Sequence, residues 1–422
     1  MPRRVLIVAG EASGDDLGAG LVRAYRDAGG TATFVGMGGA GMRAAGVDVR
    51  VDAEGLAVMG LVEVVRHLPA IGRAYRAMKA LLAETDAAVL IDYQEFNARL
   101  ARAARRRGLR VLRYVSPTVW AWRRGRIRRI RRDTDHMAVV LPFEAPFYEA
   151  HGVPVTYVGH PLLDAPRPSG GRREGRAALG LDPDRTTVAL LPGSRRFEVT
   201  TLLPVMLEAA ARLVASRARE GRPPLHFVLP LASTVPRALV EPIVARSGVP
   251  VTLVEGRAEA GGPAAASRAL AAADAAVTAS GTATLETALC GTPMVIVYKV
   301  RALTYLVGRL LVRVPAIGLV NLVAGRHVVR ELIQGAVTPE AIAAEVTALL
   351  DDPAHRAAVE AGLAEVRARL GAPGASARAA ALLMRMLGEG PSSTLPGGPS
   401  PLPGHASPPS PARAEVGGKP RP

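Results

Sequence analysis

Cysteine is almost absent from this sequence: Cys290 is the only one in 422 residues. That excludes an intrachain disulfide and a thiolate zinc cluster, and it fits a reducing compartment. Aromatic residues are scarce as well, at 4%, few for the stacking surfaces by which nucleic-acid modules hold bases. No apolar run approaches the roughly 18 uncharged residues of a spanning helix, and Val5–Ala9 is too short for a signal peptide. The dinucleotide fingerprint is missing, because the first glycine turn, Gly10-Glu-Ala-Ser-Gly-Asp-Asp16, has a different spacing. Acid is missing locally: no carboxylate lies between Glu95 and Asp133, while arginine recurs from Arg99 to Arg132. Such a stripe suits nucleic acid, anionic lipid or a phosphorylated substrate, and a chain of net charge +16 also carries surface arginine without any partner.

What is present is a long alternation of short apolar runs and amphipathic stretches, the pattern of α/β domains with parallel sheets. A chain of this length exceeds one ordinary core, so two domains are expected. In the first, strands are predicted at Arg4–Ala9, Thr33–Val35, Ala87–Ile91, Val111–Val115, Met137–Leu141 and Val155–Val158. A Pro-, Gly- and Arg-rich linker follows from Pro166 to Arg185. The second domain then starts with Thr187–Leu191 and contains Phe227–Leu229, Val251–Val254, Ala275–Thr278 and Met294–Tyr298. Leu319–Gln334 reads as a loop into a helix, Ala341–Leu350 and Arg356–Leu387 as helices, and 389–422 as a disordered Pro/Gly/Ser-rich tail. Ligands of open α/β sheets bind beyond the strands' carboxyl ends, so the loops there decide function.

The most informative is Ala279-Ser-Gly-Thr-Ala-Thr-Leu-Glu286, a turn opening a helix. Unpaired N–H groups and the positive dipole end at Ser280, Gly281 and Thr282 favour an anion such as a diphosphate; Thr282 and Thr284 add hydroxyls, and Glu286 is placed for a ribose diol. A capped helix in an ordinary domain accounts for the same residues. Pro192-Gly-Ser-Arg195 is a second turn of this kind, and Arg195 beside Ser194 can pair diphosphate oxygens bidentately. In the first domain Gly10–Asp16 and Gly36-Met-Gly-Gly39 outline a cleft rim, and Asp92 ends a buried strand where a carboxylate is placed for proton transfer. Asn97 can cap the basic helix predicted from Ala98 to Arg107. The tryptophans of Ser116-Pro-Thr-Val-Trp-Ala-Trp122 form either a platform for a sugar or acyl chain or a packed corner. Leu56–Ile71 has an apolar face flanked by basic residues, which suits a membrane interface or ordinary core packing.

Taken in order, Gly10-Glu-Ala-Ser-Gly-Asp15, Asp92…Phe96-Asn97, Tyr114-Val-Ser-Pro-Thr-Val-Trp-Ala-Trp122, Leu191-Pro-Gly-Ser-Arg195, Ala279–Glu286 and Asn321-Leu-Val-Ala-Gly-Arg326 resemble the lipid-A-disaccharide synthase family over residues 4–388. The resemblance implies two Rossmann-like domains facing a cleft, the GT-B-type glycosyltransferase fold. Residues 1–165 would form the lipid acceptor side, 166–350 the donor side, and helices 351–388 would pack back on the first domain. It implies inverting transfer from UDP-2,3-diacylglucosamine to 2,3-diacylglucosamine 1-phosphate, giving a disaccharide 1-phosphate and UDP, with neither metal nor cofactor. Asp92 is then the expected base, with Glu11, Ser13, Asn97 and Trp120 lining the acceptor cleft. Ser194, Arg195, Ser280, Gly281, Thr282, Glu286 and Asn321 are expected to hold UDP. Val58, Leu61, Val62 and Val65 would face the inner membrane, with the protein peripheral on its cytoplasmic side, no nucleic acid bound, and monomer or homodimer left open. Where the family pattern usually has proline, this chain has Gln94, Val320 and Arg330. These departures bear on loop rigidity and bring in Glu95 as a second candidate base.

Overall fold

The computed structural model describes residues 2–53, 61–121, 124–256, 262–301, 305–306 and 314–390, with backbone alone for 61–67 and 124. The first half runs β1 (Arg4–Ala9), α1 (Ala12–Asp27), β2 (Thr33–Gly38), α2 (Ala40–Ala44), β3 (Asp48–Asp52), α3 (Leu61–Leu81), β4 (Ala87–Ile91) and α4 (Gln94–Arg105). It continues through β5 (Arg110–Tyr114), α5 (Ile127–Asp133), β6 (His136–Val139), α6 (Glu144–Glu149) and β7 (Val155–Tyr157). These strands form one parallel sheet in the order β3-β2-β1-β4-β5-β6-β7. The order reverses between β1 and β4, whose register sets Ala9 beside Ile91. The loops that leave these two strands are therefore neighbours at a topological switch point.

The second half begins with α7 (Arg172–Ala178), β8 (Thr187–Leu191), α8 (Arg196–Arg219), β9 (His226–Pro230), α9 (Arg237–Ser247) and β10 (Val251–Val254). It continues with α10 (Ala265–Ala272), β11 (Ala275–Ala279), α11 (Thr282–Leu289), β12 (Met294–Tyr298) and β13 (Glu331–Ile333). Its sheet is also parallel, ordered β10-β9-β8-β11-β12-β13, and its switch point lies between β8 and β11. Both architectures follow from the same chemistry. Strands such as β1 and β4 are buried at nearly every residue because helices cover both sheet faces, and each amphipathic helix turns one stripe inward, as α4 does with Phe96, Leu100, Ala101 and Ala104.

Several elements differ from the sequence reading. Glu331–Ile333 is an edge strand, not a helix, and the helix before it is only Leu319–Ala324. The Pro166–Arg185 stretch is anchored: Arg176 in α7 is buried, donates from Nε to Ala272 O at 3.1 Å, and pairs with Asp274. The predicted helix Arg356–Leu387 is two helices, Pro353–Leu370 and Ala375–Leu387, broken where Gly371 and Gly374 take positive φ. Pro353–Leu370 packs on α11 and on Leu319–Ala324, in the second half rather than the first. Ala375–Leu387 lies along α1 and β5. Helix α8 is long and apolar enough to cross a membrane, but here it is a core helix that buries Val199, Leu202, Leu203, Met206 and Leu207. Residues 391–422 lie outside the described residues.

Candidate active site

At the first switch point the chain leaves β4 through two consecutive left-handed residues, Asp92 at φ 45° and Tyr93 at φ 43°. Non-glycine residues pay about 1–3 kcal/mol each for such backbone, so the surroundings must over-determine it. They do so from three sides. Asp92 N donates to Tyr114 O at 3.0 Å, extending the β4–β5 pairing, and the fully buried Asn97 donates from Nδ2 to Ile91 O at 3.0 Å and Asp92 O at 2.9 Å. On the third side Gly10 lies so close to the Tyr93 ring that a Cβ there would come within 2.3 Å of it. The Asp92 carboxylate, half-buried at the strand's carboxyl end, accepts from Gln94 Nε2 at 2.7 Å. Helix α4 starts at Gln94, so Asn97 sits inside it and is no cap; its amide holds the turn that presents Asp92. Glu11 and Ser13 are exposed at the start of α1 beside this turn. Glu95 is exposed and pairs with Arg126 at 2.6 Å.

The second glycine turn is closed to ligands. Buried Asp15 accepts from Gly39 N, Gly41 N and Met42 N at 2.6, 2.8 and 3.1 Å, taking the donors that the turn would offer. The tryptophan loop is a packed corner in its described part. Trp120 meets Phe143 edge-on with centroids 4.8 Å apart, and its Nε1 donates to Glu144 Oε1 at 3.1 Å. Glu144 also accepts from Ser116 Oγ at 2.9 Å and from Leu141 N at 3.1 Å. Burial pushes its carboxyl up to about 7 in spite of these bonds. Trp122 and Val58 lie outside the described residues, and Leu61, Val62 and Val65 are described by helical backbone alone.

At the second switch point Ser194, Arg195, Ser280, Gly281, Thr282 and Glu286 line one cavity of about 600 Å³. The two turns do different work. In the β8 turn Glu198 accepts from Ser194 N at 3.1 Å and Arg195 N at 3.2 Å, and a Cβ on Gly193, which has φ 112°, would meet that carboxylate at 2.3 Å. That turn is already satisfied, and it offers the Arg195 side chain, 62% exposed and 3.5 Å from Glu198. The β11 turn is open. Gly281 precedes α11 at φ 144°, a Cβ added to it would meet nothing within 4 Å, and no side chain caps the helix. Its first turn is thus left uncapped beside the cavity, an arrangement that suits an anion. Thr284 is fully buried and donates to Gly281 O at 2.8 Å, so its hydroxyl is not available there, unlike that of exposed Thr282. Glu286 accepts from Ser267 Oγ at 3.0 Å, and burial raises its carboxyl above the ordinary range. Asn321 is not in the cavity wall. It is buried, accepts from Val328 N and Val329 N, and donates to Val329 O and Glu331 Oε1. Glu331 in turn accepts from Ile317 N and Gly318 N, and Ile317 O receives Ser280 Oγ at 3.0 Å, so Asn321 steadies the segment on which Ser280 rests.

Residues 5–383 match the family described as lipid-A-disaccharide synthetase. The chain belongs to that family. Lipid-A-disaccharide synthase of Geobacter sulfurreducens is 50% identical over 388 residues, covering 92% of this chain and 98% of the relative. The synthase of Myxococcus xanthus is 46% identical over 391 residues, covering 92% and 99%. Among solved structures, UDP-GlcNAc 2-epimerase from Neisseria meningitidis bound to UDP-GlcNAc superimposes with a TM-score of 0.58 at 10% identity, over 91% of this chain and 99% of that one. Acinetobacter baumannii MurG gives 0.53 at 16% identity, over 91% and 100%. These likenesses are of fold, two Rossmann-like domains of the GT-B type.

For this member of the family the proline substitutions have local explanations. Gln94 supplies the amide that fixes Asp92, Val320 is fully buried, and Arg330 reaches Glu345 at 3.1 Å. The roles of Asp15, Arg113, Glu144 and Glu331 were not read from the sequence, because each owes its place to burial or to partners distant in the chain.

Proposed function

We propose that this chain is an inverting glycosyltransferase that joins UDP-2,3-diacylglucosamine to 2,3-diacylglucosamine 1-phosphate, giving the β-linked disaccharide 1-phosphate of lipid A and UDP. The observation that carries the reading is that the family match runs through both switch points, one presenting a carboxylate and the other an uncapped helix N-terminus beside an exposed arginine. Residues 1–165 serve as the acceptor side and 166–350 as the donor side. The acceptor 6-hydroxyl gives its proton to Asp92 as its oxygen bonds to the donor's anomeric carbon. The bond from that carbon to the diphosphate breaks, and UDP leaves with the electron pair. Arg195 and the first-turn N–H groups of α11 hold the departing charge, and Glu286 accepts from the ribose. The substrates are lipids, so the reaction is placed at the cytoplasmic face of the inner membrane, with Val58, Leu61, Val62 and Val65 as the contact. Exposed Leu68 lies on the same helix, α3.

The test is UDP release by purified protein from UDP-2,3-diacylglucosamine, with and without 2,3-diacylglucosamine 1-phosphate. Release that depends on the acceptor, with a β-linked disaccharide as product, is expected. UDP release that ignores the acceptor, or none at all, refutes the reading.

A further inference from the structure

Strand β5 carries a charge where its neighbours are apolar. Arg113 stands beside Leu90 in the β4–β5 register, one residue short of the carboxyl edge, and is only 3% exposed. Its Nε has no hydrogen-bond partner, and among the described residues it forms no ion pair. Acids surround it without reaching it. Asp92, Asp133 and Glu95 all act on it electrostatically, but Asp133 is held by Arg132 at 2.7 Å, Glu95 by Arg126 at 2.6 Å, and Asp92 by Gln94 at 2.7 Å. Guanidinium remains charged in proteins, and an isolated buried charge is costly. A buried group left unsatisfied calls for an explanation, and a ligand that supplies the missing partner is one that offsets the lost stability with function. Helix α4, twelve residues long, begins at the same place with no side-chain cap, so its first-turn N–H groups point toward the same edge.

We propose that Arg113, together with the uncapped start of α4, is the subsite for the phosphate monoester of the acceptor. The inference rests on the glycosyltransferase reading above and adds to it the group that recognises the acceptor's charge. The anomeric and 6-positions of a hexose lie on opposite sides of the ring oxygen. A base at one and a buried cation at the other therefore seat a sugar 1-phosphate in one direction only. The cation is needed for a second reason: a phosphate brought beside Asp92 and Glu95 is repelled unless a positive charge stands between them.

The experiment compares wild type with Arg113→Met and Arg113→Lys, using 2,3-diacylglucosamine 1-phosphate and the same lipid without its phosphate. Wild type is expected to favour the phosphorylated acceptor strongly in kcat/KM. In Arg113→Met that preference collapses by about thirty-fold or more, the worth of a charge-assisted bidentate pair, while UDP affinity is unchanged and Tm is equal or higher because a buried charge has gone. Arg113→Lys keeps the charge and loses the fork, so KM for the acceptor rises while kcat changes little. Inorganic phosphate should compete with the phosphorylated acceptor in wild type and not in Arg113→Met. If inorganic phosphate competes while wild type uses both lipids equally well, the site takes a free anion and the proposal falls. It also falls if a folded Arg113→Met retains the preference, or if both variants fail to fold, which would make Arg113 a structural residue. Failure of the underlying reading is seen separately, as a wild type that transfers sugar to neither lipid.

Discussion

At the residue scale the proposed base is Asp92, and Glu95 is the other carboxylate that the role could fall to. Asp92 is held at the strand end by Gln94 and by the turn that Asn97 and Gly10 impose, whereas Glu95 is exposed and tied to Arg126. Asp92→Asn keeps size and polarity but cannot take a proton. It should lower kcat by on the order of 10²–10⁴-fold while UDP affinity and Tm stay near wild type. Glu95→Gln should be the milder change, since an exposed ion pair contributes about 0–1 kcal/mol. A dead Glu95→Gln beside a nearly normal Asp92→Asn would move the base to the other carboxylate. The placement of Asp92 at a strand's carboxyl end, and of Arg195 and Glu286 at turns that line one cavity, was legible in the sequence because strand ends and small-residue turns mark themselves locally. Asn97, Asn321 and Thr284 were legible as polar residues in motifs but not in their roles. Whether an amide or hydroxyl meets a ligand or its own backbone depends on which way the buried side chain turns.

At the scale of elements, Gly281 and Glu144 show what one turn and one short helix hold in place. Alanine at 281 meets no atom within 4 Å but must adopt φ 144°. Gly281→Ala should therefore cost about 1–3 kcal/mol by conformation alone and lower UDP affinity about ten-fold as the start of α11 relaxes. Calorimetric titration with UDP checks it, and unchanged affinity would remove α11 from the diphosphate site. Glu144 ties the Ser116–Ala121 loop to α6, and its carboxyl stands near 7 against an ordinary 4.5. The folded protein then holds a proton that the unfolded chain gives up first. The stabilisation is full below about 4.5 and is lost as pH rises through about 7, at most roughly 3 kcal/mol. When protonated, Glu144 can donate to Ser116 Oγ while Ser116 donates to Pro117 O, 2.9 Å away, so the network survives either state. Glu144→Gln cannot titrate and sets an N–H₂ against either Leu141 N or the Ser116 and Trp120 donors. Its Tm deficit should be largest near pH 5 and shrink toward pH 8; a deficit independent of pH would contradict the assignment. Two strands escaped the sequence, β3 and β13. Both are short edge strands with polar residues at alternate or flanking positions, too little apolar signal to separate from loop.

At the scale of the whole molecule, the two parallel sheets were readable because each strand buried on both faces is a continuous apolar run. Strand order was not, since which strands adjoin depends on crossovers that leave no local mark. It is the order that matters: it sets β1 beside β4 and β8 beside β11, and so brings together loops far apart in sequence. The same scale decides how the molecule meets its lipid substrates. Charge and apolar contact respond differently to salt, because exposed charges are screened within about 8 Å at physiological ionic strength and within less above it, whereas apolar insertion is not weakened. In the proposed peripheral attachment the exposed arginines of α4 and α5 would supply the first, and α3, with Leu68 54% exposed, the second. High salt should therefore release only part of the protein from vesicles containing anionic lipid. Replacing Val58, Leu61, Val62 and Val65 by serine or threonine should release more than salt does, with Tm unchanged, in a co-sedimentation assay. A variant that stays bound, or that unfolds, would show that these four residues are not the membrane face.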